Sequence, residues 1–518
     1  MVAAPDDVLL LACYELGHQP LSLAWPAAVL RRAGVGVTAV DLAVDSFPRD
    51  AAARARFVAI SVPMHTALRL GVRAAQDVRT LNPDAHICFY GLYAWLNADY
   101  LLATVADSVL AGEVEEELAA WVVGGGWRVA GGESPSLGEG LGEGSVLDPL
   151  PNPLPQGEGI RSPLPNPLPR GEGIRSPLPN PLPRGEGTRS PLPKGQGTKD
   201  QRPRPILTRL SLPTPDRAGL PSLDRYARYV DGGVARLAGY VEASRGCLHT
   251  CRHCPVVPVY GGRFFVVPAE TVLADVRQQV AAGAEHITFG DPDFLNGPGH
   301  VLKIARALHA EFPHLTFDFT TKVEHIQQHR ALFPELRALG ASFVISAFES
   351  VSDTVLTRLG KGHTAADLDD GLAVLAGAGL PVQPTWLPFT PWTTLDDYLA
   401  LLAWIRRRDL MAHVPAVQLS IRLLVPPGSA LLSEPDAADW LGPLDAANFT
   451  WQWRNPDPCV DELQRRVAAI AEAGGDADTA FAAIERLAYG LAGRRLPAAP
   501  PRIHANPAPP RLTEDWFC

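Results

Sequence analysis

Short apolar runs alternate with helical patterns through the first 125 residues of this 518-residue chain. Five runs have the length of buried strands, namely 7–13, 37–40, 57–62, 86–90 and 108–110. Between the first two, the apolar residues of 21–33 recur at helical spacing. Strands that alternate with helices favour a parallel sheet covered on both faces. We therefore predict an α/β domain over residues 1–125, a Rossmann-like doubly wound sheet that binds ligands at the carboxyl ends of its strands.

The same alternation resumes in a second region, residues 237–430. Six further runs are predicted to be strands, namely 240–243, 286–289, 315–320, 343–347, 382–387 and 416–424. Helical spacing returns at 460–473 and 479–491, followed by a proline-rich stretch. We predict that residues 431–518 form a small helical C-terminal region with a flexible tail.

A proline- and glycine-rich repeat separates the two regions. A 14-residue unit that begins at Ser162 recurs at Ser176 and, shortened, at Ser190. Its prolines favour polyproline II, its glycines break it, and little apolar surface is available to offset the entropy of ordering. We predict a disordered spacer over 130–205. A proline-rich ligand for another protein module is the alternative.

Composition and charge limit the compartment and the partners. Hydrophobic residues make up 46% of the chain, enough for globular cores, and the net charge of −10 argues against a nucleic-acid-coating protein. No apolar run approaches the roughly 18 residues of a membrane span, and the first eleven residues lack a basic leader. We expect a cytoplasmic protein that binds neither nucleic acid nor membrane.

Three of the seven cysteines, Cys247, Cys251 and Cys254, lie within eight residues at C-x3-C-x2-C spacing. Three thiolates can hold three irons of a cubane [4Fe–4S] cluster and leave the fourth iron open, as metal catalysis requires. A zinc site completed by His249 or His253 is the rival interpretation, although no second pair of closely spaced cysteines exists. A long chain with few cysteines does not favour a structural disulfide.

This motif resembles the signature of the radical S-adenosylmethionine (SAM) enzymes. The resemblance implies a [4Fe–4S] cluster whose open iron is chelated by SAM, which is then split to a 5′-deoxyadenosyl radical. It also implies a partial (β/α)6 TIM-type barrel over 237–430, with its chemistry at the carboxyl ends of the strands. His253 occupies the position of an aromatic residue that faces the adenine. An electron donor such as flavodoxin or ferredoxin and an unidentified small-molecule or peptide substrate are the implied partners.

Other strand ends of the second region resemble SAM contacts of the same family. Gly290 and Asp291 occupy the place of the glycine-rich strand end that holds the SAM amino group, although Asp291 is equally typical of a helix N-cap. Glu349 and Ser350 resemble the motif that binds the SAM ribose, with a cap or a solvated loop carboxylate as the alternative for Glu349. Lys361 is either a partner for the SAM carboxylate or a solvated turn residue.

The first region resembles the cobalamin-binding domain that precedes many radical SAM cores. The resemblance implies that four residues at strand ends contact a corrinoid: Ser61, Gly91, Gly112 and Glu113. The Asp-x-His-x-x-Gly motif by which other cobalamin proteins ligate cobalt is absent from the sequence. Because strands that end in glycine are common, a Rossmann-like scaffold that binds nothing is the alternative.

The last six residues, 513–518, resemble the start of the tail in a group of radical SAM proteins that end in Cys-Sec-Ala-Glu-Pro or Cys-Cys-Ala-Glu-Pro. The resemblance implies truncation at Cys518, where a selenocysteine codon was read as a stop, and the alternative is that Cys518 is an exposed terminal thiol without a role. Together the motifs predict a radical SAM enzyme, with cobalamin-dependent methyl transfer or rearrangement as its reaction. The alternative is a zinc or iron–sulfur redox or binding protein without SAM chemistry.

Overall fold

A five-stranded parallel sheet forms the first domain of the computed structural model, which describes residues 8–125, 203–497 and 509–514. The strands lie in the order β2-β1-β3-β4-β5. Their bounds are β1 (Val8–Ala12), β2 (Thr38–Asp41), β3 (Phe57–Ser61), β4 (His86–Tyr90) and β5 (Ser108–Leu110). The helices are α1 (Leu21–Arg32), α2 (Arg49–Arg54), α3 (His65–Leu81), α4 (Leu92–Leu96), α5 (Ala98–Thr104) and α6 (Glu115–Gly124). The predicted doubly wound sheet is confirmed.

The central strands of this sheet are apolar throughout because both of their faces are covered. All five residues of β1 are buried. Val8 and Leu10 pack into one apolar cluster with α1 and α6, whereas Leu9 and Leu11 pack into another with α3. Alternating side chains therefore enter opposite cores, as expected for a strand between two helical layers.

The second domain is built on a seven-stranded sheet in the order β13-β12-β11-β10-β7-β6-β16. Its bounds are β6 (Arg228–Asp231), β7 (Val234–Val241), β10 (His286–Phe289), β11 (Thr316–Thr321), β12 (Ala341–Glu349), β13 (Val382–Trp386) and β16 (Arg511–Leu512), with β8 (Ser244–Gly246) and β9 (Phe264–Val266) as a separate pair. The five strands β7 and β10–β13 pair in parallel. They form the predicted partial barrel, and β6 and β16 extend its edge antiparallel.

Helices follow the parallel strands and close the outer face of this sheet. They are α7 (Val256–Tyr260), α8 (Ala269–Ala281), α9 (Pro298–Glu311), α10 (Val323–Gln328), α11 (Phe333–Ala338), α12 (Asp353–Leu359), α13 (Ala365–Gly377) and α14 (Leu395–Arg407). None of the helices in the described part of the chain combines the length and the apolar character that crossing a bilayer requires.

The strand predicted over 416–424 is wrong. Residues Ala416–Leu419 form a short 3-10 helix, and only Arg422 bridges in parallel to Phe389 at the sheet edge. Leu419 and Leu423 of this run are buried in the core although the run makes no ladder beyond that bridge, and two prolines that follow at 426–427 lack the N–H groups a strand would need. Burial alone therefore accounts for the apolar pattern that suggested a strand.

The C-terminal region is less helical than its sequence suggests. The helices α16 (Pro458–Ala473) and α17 (Ala477–Leu491) are present, preceded by α15 (Ala437–Trp440) and a hairpin of β14 (Leu441–Asp445) and β15 (Thr450–Trp453). The predicted flexible tail is wrong for 509–514, because Arg511 and Leu512 pair with β6. Cys518 lies outside the described residues, and its prediction stays a prediction.

The segment that follows the spacer fastens the two domains together. Ile206 pairs in parallel with Gly112, and the Trp95 indole N–H donates to the Pro203 carbonyl over 2.9 Å. Pro203, which the predicted spacer includes, therefore lies against the first domain. The part of the spacer before residue 203 lies outside the described residues.

We expect Gly112→Ala to weaken this junction. Gly112 has φ +84°, and a Cβ there would lie 2.1 Å from the Ile206 carbonyl oxygen. The combined backbone strain and displacement should cost roughly 1–3 kcal/mol of unfolding free energy, measured by urea denaturation. Gly124→Ala is the matched control, because no atom lies within 4 Å of its added Cβ. Equal stability of the two variants would show that the Gly112–Ile206 approach is not tightly held.

Candidate active site

The three motif cysteines lie in the loop between β8 and α7. Cys247 and Cys251 are buried, Cys254 is half-buried, and all three are free thiols. Gly246 begins the loop with φ +76°, where a Cβ would lie 2.4 Å from the Arg263 carbonyl oxygen. Glycine is therefore required at this turn, which directs the thiols toward the carboxyl ends of the barrel strands.

The surroundings of these thiols favour the neutral form. Burial raises the pKa of Cys247 to about 11 and that of Cys254 to about 12. Metal ligation requires thiolates, so a metal bound here would lower these pKa values, and Lys361 already acts in that direction on Cys254. The loop therefore suits a metal centre better than a reactive free thiol.

The zinc alternative is less compatible with the geometry of the loop. Across the described ranges, the three cysteines belong to no group of His, Cys, Asp or Glu whose ligand atoms all lie within 4.8 Å of one another. Zn–S bonds of about 2.3 Å bring sulfur ligands to about 3.8 Å apart. The two loop histidines face carboxylates, since His249 lies 3.4 Å from Asp293 and His253 lies 3.4 Å from Glu349. Among the described residues, the three thiols and the loop histidines therefore do not form a preassembled zinc site.

Glu349 and Lys361 form a buried ion pair beside the cysteine loop. The Lys361 ammonium donates to Glu349 Oε1 over 3.1 Å, and their side chains are 3% and 12% exposed. Although burial raises the pKa of Glu349, Lys361 and His253 lower it to about 2. Burial lowers the pKa of Lys361, but Glu349 and the Cys251 thiol raise it above its ordinary value. The alternatives of a solvated Lys361 and of a solvated or capping Glu349 are therefore wrong.

The backbone at Glu349 is strained in a way that fixes its side chain. Glu349 has φ +64°, and the register of β12 against β13 shifts between Ala347 and Glu349. A non-glycine residue in this conformation persists only where its surroundings hold it. Ser350 follows at once and is buried, with its hydroxyl accepting from the Ser352 N–H. The strand end thus presents the carboxylate at a defined position.

Asp291 has a different role from the helix N-cap that its sequence position suggested. One carboxylate oxygen accepts from the Ala243 N–H over 2.9 Å and the other from the Ser244 hydroxyl over 2.6 Å. Burial raises the pKa of Asp291 to about 7 against the lowering effect of these bonds. Asp291 thus fastens the segment that leads into the cysteine loop. At neighbouring Gly290 a Cβ would lie 1.9 Å from the Tyr240 hydroxyl, so glycine makes room for that ring.

Asn296 is a site residue that sequence reasoning missed. Its side-chain oxygen accepts from the Leu248 N–H over 3.2 Å and lies 3.8 Å from Cys247 Sγ. Its place at the end of the polar run after β10 was the available signal. Asn296 therefore orients the first half of the cysteine loop.

Several buried polar atoms around the loop lack a hydrogen-bond partner. They are His253 Nδ1, Asn296 Nδ2 and His363 Nδ1. Buried polar atoms are normally satisfied, so these three are available to a polar ligand. Glu349 and Lys361 add one negative and one positive charge beside the loop.

The four positions predicted for the corrinoid lie at strand ends of the first domain, but two are engaged elsewhere. Ser61 is buried near the Tyr90 hydroxyl, and Gly91 turns the chain with φ +106°. Glu113 accepts from the Tyr260 hydroxyl over 2.9 Å and from Arg245 over 3.3 Å. Gly112 is covered by Ile206. In this structure Gly112 and Glu113 therefore join the two domains.

Arg245 links the domains immediately before the cysteine loop. Its guanidinium lies 2.6 Å from Glu115, 3.2 Å from Glu242 and 3.3 Å from Glu113, and it stacks on the Trp25 ring at 4.2 Å. The sequence shows Arg245 only as a residue next to the motif, so its partners were not predictable.

Apolar residues at the carboxyl end of the first sheet also reach the cysteine loop. Leu92, Trp95 and Ala111 belong to the same apolar cluster as Cys247 and Cys254. Leu92 and Trp95 lie on α4, which begins directly after Gly91 at the end of β4, and Ala111 follows β5. The carboxyl ends of both parallel sheets therefore face the same loop.

Comparison with known proteins finds a match for most of the second domain. Residues 241–402 match the family model of the Radical SAM superfamily. The ribosomal protein uS12 methylthiotransferase RimO of Cereibacter sphaeroides is 24% identical over 181 residues, which cover 33% of this chain and 39% of that relative. The chain thus spans well under half of the curated relative that it matches.

Two solved structures share the fold across both domains. One is the cobalamin-dependent SAM radical enzyme OxsB with aqua-cobalamin and SAM bound, with TM-score 0.62, 12% identity, and 94% of this chain and 73% of that chain covered. The other is the radical SAM methyltransferase TsrM from Kitasatospora setae with cobalamin and a [4Fe–4S] cluster bound. Its TM-score is 0.55 and its sequence identity is 14%, and the match covers 96% of this chain and 93% of that chain.

Proposed function

We propose that this radical SAM enzyme, whose cofactors are a [4Fe–4S] cluster and SAM, transfers a methyl group to a substrate carbon with a corrinoid held between its two domains. One observation carries the proposal: the strand ends of a Rossmann-like sheet meet the cysteine loop through Leu92, Trp95 and Ala111. A cofactor bound at that sheet edge would lie beside the cluster and SAM.

The cysteine loop would hold the cluster through Cys247, Cys251 and Cys254. When bound, the cluster supplies the electron that cleaves SAM. The residues of this chain orient SAM: Lys361 would face its carboxylate, and Glu349 would accept from its ribose hydroxyls. The low pKa of Glu349 keeps it ionised as an acceptor at neutral pH. The free Nδ1 of His253 lies within the same group of buried polar atoms.

The first domain would hold the corrinoid at its carboxyl edge. OxsB and TsrM share this two-domain fold and were solved with cobalamin bound. Ser61 and Gly91 remain the proposed contacts, whereas Gly112 and Glu113 would have to release Ile206 and Arg245 to reach a ligand. The sequence has no Asp-x-His-x-x-Gly motif, so we expect no histidine ligand from that motif to the cobalt.

A ring rearrangement is the second reaction compatible with these cofactors, and an electron donor such as flavodoxin or ferredoxin is the proposed reductant. The rival function is a zinc or iron–sulfur protein without SAM chemistry. It supplies no hydrogen-bond partner for the buried polar atoms of His253, Asn296 and His363. Release of 5′-deoxyadenosine from the reduced, reconstituted full chain distinguishes the two functions. Its absence in cluster-loaded protein would favour the rival.

The corrinoid proposal is tested on the full chain expressed with hydroxocobalamin. We expect about one corrinoid per chain to copurify, detected by its visible absorption after removal of free cobalamin. Leu92→Arg should prevent this binding, because it places a charge on the half-buried apolar edge beside the loop. Leu102→Arg is the matched control, since Leu102 is exposed on the neighbouring helix.

The outcomes separate the two interpretations of the first domain. Corrinoid in wild type and in Leu102→Arg, but not in a folded Leu92→Arg, supports the proposal. Wild-type protein that binds no corrinoid yet releases 5′-deoxyadenosine would identify the first domain as a scaffold, and hydrogen abstraction without cobalamin would replace methyl transfer.

Glu349→Gln should weaken SAM binding while the cluster stays in place. The change removes a charged acceptor, and a hydrogen bond to a charged group contributes about 1.5–3 kcal/mol, which corresponds to roughly a 10- to 100-fold loss of affinity. Equilibrium binding of SAM, measured beside iron content, checks this. Glu270→Gln, on an exposed turn of α8, should change neither quantity. Unchanged SAM affinity in Glu349→Gln would mean that the ribose contact is wrongly assigned.

A further inference from the structure

We propose that the protein has a second metal site, for a divalent first-row cation, formed by His249 Nε2, Asp293 Oδ2 and His325 Nδ1. These three atoms all lie within 4.8 Å of one another. Asp293 Oδ2 is 3.4 Å from His249 Nε2 and 3.0 Å from His325 Nδ1. Tetrahedral ligands at bonds of about 2.0–2.1 Å lie roughly 3.3 Å apart, so both distances suit a shared cation.

The barrel brings the three residues together from separate parts of the chain. Asp293 follows β10, and His325 lies in the first turns of α10, which follows the neighbouring strand β11. His249 reaches them from the cysteine loop, and its ring lies 4.5 Å from that of His325, tilted by 55°. The site thus lies at the carboxyl ends of the strands, where this fold places its chemistry.

Burial without partners is the second observation that points to a ligand. Asp293 is fully buried, and His325 is 6% exposed. Neither His249 Nε2 nor His325 Nδ1 makes a hydrogen bond. A hydrogen-bonded His–Asp pair is the metal-free alternative, and His325 Nδ1, at 3.0 Å from Asp293, is nearer to it than His249 Nε2, at 3.4 Å; a shared cation satisfies both nitrogens at once. Two imidazole nitrogens directed at one buried carboxylate oxygen are therefore available to a cation.

The groups behind these ligands resemble the outer shell of a metal site. Asp293 Oδ1 accepts from the Leu295 N–H over 3.0 Å and from the Thr321 hydroxyl over 2.9 Å, which fixes the carboxylate. Asp293 Oδ2 also accepts from the Lys322 N–H over 3.2 Å. The other nitrogen of His249 lies 3.6 Å from Glu324. A carboxylate behind a ligating histidine sets its tautomer and its orientation.

The ligand set indicates the class of ion. Two imidazoles and one carboxylate suit Zn²⁺ or Fe²⁺ better than Ca²⁺ or Mg²⁺, which prefer oxygen. Three protein ligands leave a coordination position open, as in catalytic rather than structural sites. The half-exposed Glu324 marks the side that opens to solvent. This site goes beyond the proposed function and does not depend on the corrinoid.

Zinc is the probe for the test. The full chain is reconstituted anaerobically with iron and sulfide, equilibrated with one equivalent of Zn²⁺, desalted and analysed for both metals. We expect about one zinc beside about four irons, and a zinc absorption edge whose ligands are nitrogen and oxygen near 2.0–2.1 Å. A sulfur shell near 2.3 Å would place the zinc in the cysteine loop and overturn the proposal, as would protein that retains no zinc.

Matched variants localise the ion. His325→Gln should lose the zinc and keep the iron, whereas His314→Gln, on an exposed turn, should keep both. His249→Gln provides a second removal if His325→Gln does not fold, with folding checked by circular dichroism. Zinc retained in folded variants of both His325 and His249 would overturn the site. Because 5′-deoxyadenosine release is measured separately, failure of the radical SAM assignment and failure of this site are distinguishable.

Discussion

Cys247→Ala should abolish both the cluster and SAM cleavage in a protein that still folds. The variant keeps only two of the three thiolates that we propose as cluster ligands, so we expect iron to fall from about four per chain to a trace, and 5′-deoxyadenosine to background. The loss of one sulfur atom from the edge of the core should cost only about 1 kcal/mol of stability. Iron analysis and chromatography of the reaction products measure the two effects.

Cys459→Ala is the control for this prediction. Cys459 is exposed at the start of α16, so its removal should leave iron content and SAM cleavage unchanged. A Cys247→Ala protein with full iron content and wild-type cleavage would refute the assignment of the loop as the cluster site. Equal iron loss in both variants would point to general damage from the substitutions.

Arg245→Met should destabilise the protein by about 3–5 kcal/mol, because it leaves buried carboxylates without their cation. The Arg245 side chain is 13% exposed and lies between Glu113, Glu115 and Glu242. Methionine retains much of the volume of the arginine stem, so the loss of stability comes more from the missing charge than from changed packing. Urea denaturation at pH 8 measures it. Arg306→Met, which breaks an exposed pair with Glu335, should have little effect.

The cost of Arg245→Met should also depend on pH. Burial raises the pKa of Glu242 from 4.5 to about 7, and it raises that of Glu113, even with Arg245 present. A carboxyl with a raised pKa in the folded state stabilises folding fully below pH 4.5 and loses that contribution as pH rises through its folded pKa. Without Arg245 these pKa values rise further. The variant should therefore lose more stability at pH 8 than at pH 6, and an equal loss at both would contradict the ionic role of Arg245.

The sequence alone predicted most of the architecture. Short apolar runs indicate buried strands. The predicted ends of β1, β3, β4 and β10 therefore lie within two residues of the observed ends. The cysteine spacing is local, so it predicted a cluster loop without reference to the rest of the chain, and that assignment stays a prediction. Glycines such as Gly290 marked strand ends, although the reason for glycine there, the approach of the Tyr240 ring, comes from a distant part of the chain.

The sequence pattern gave wrong or open predictions in two situations. In one, apolar residues are buried without belonging to a strand, and in the other, the contact partner of a residue lies far along the chain. The run at 416–424 is apolar because it is buried, yet it does not join the sheet. The sequence left Lys361 open between a ligand contact and a solvated turn, and only the fold placed it against Glu349. Periodicity reports which face of an element is buried, but it carries no information about what lies opposite.

The site itself was decided by tertiary structure. Asp293, His249 and His325 are separated by tens of residues and meet only because neighbouring strands end at the same edge of the barrel. Arg245 finds carboxylates from both domains in the same way. The residue types and the cluster motif are thus properties of the sequence. The charge partners, the strained carboxylate and the joined domain edges arise from folding, because they depend on distances that no local pattern encodes.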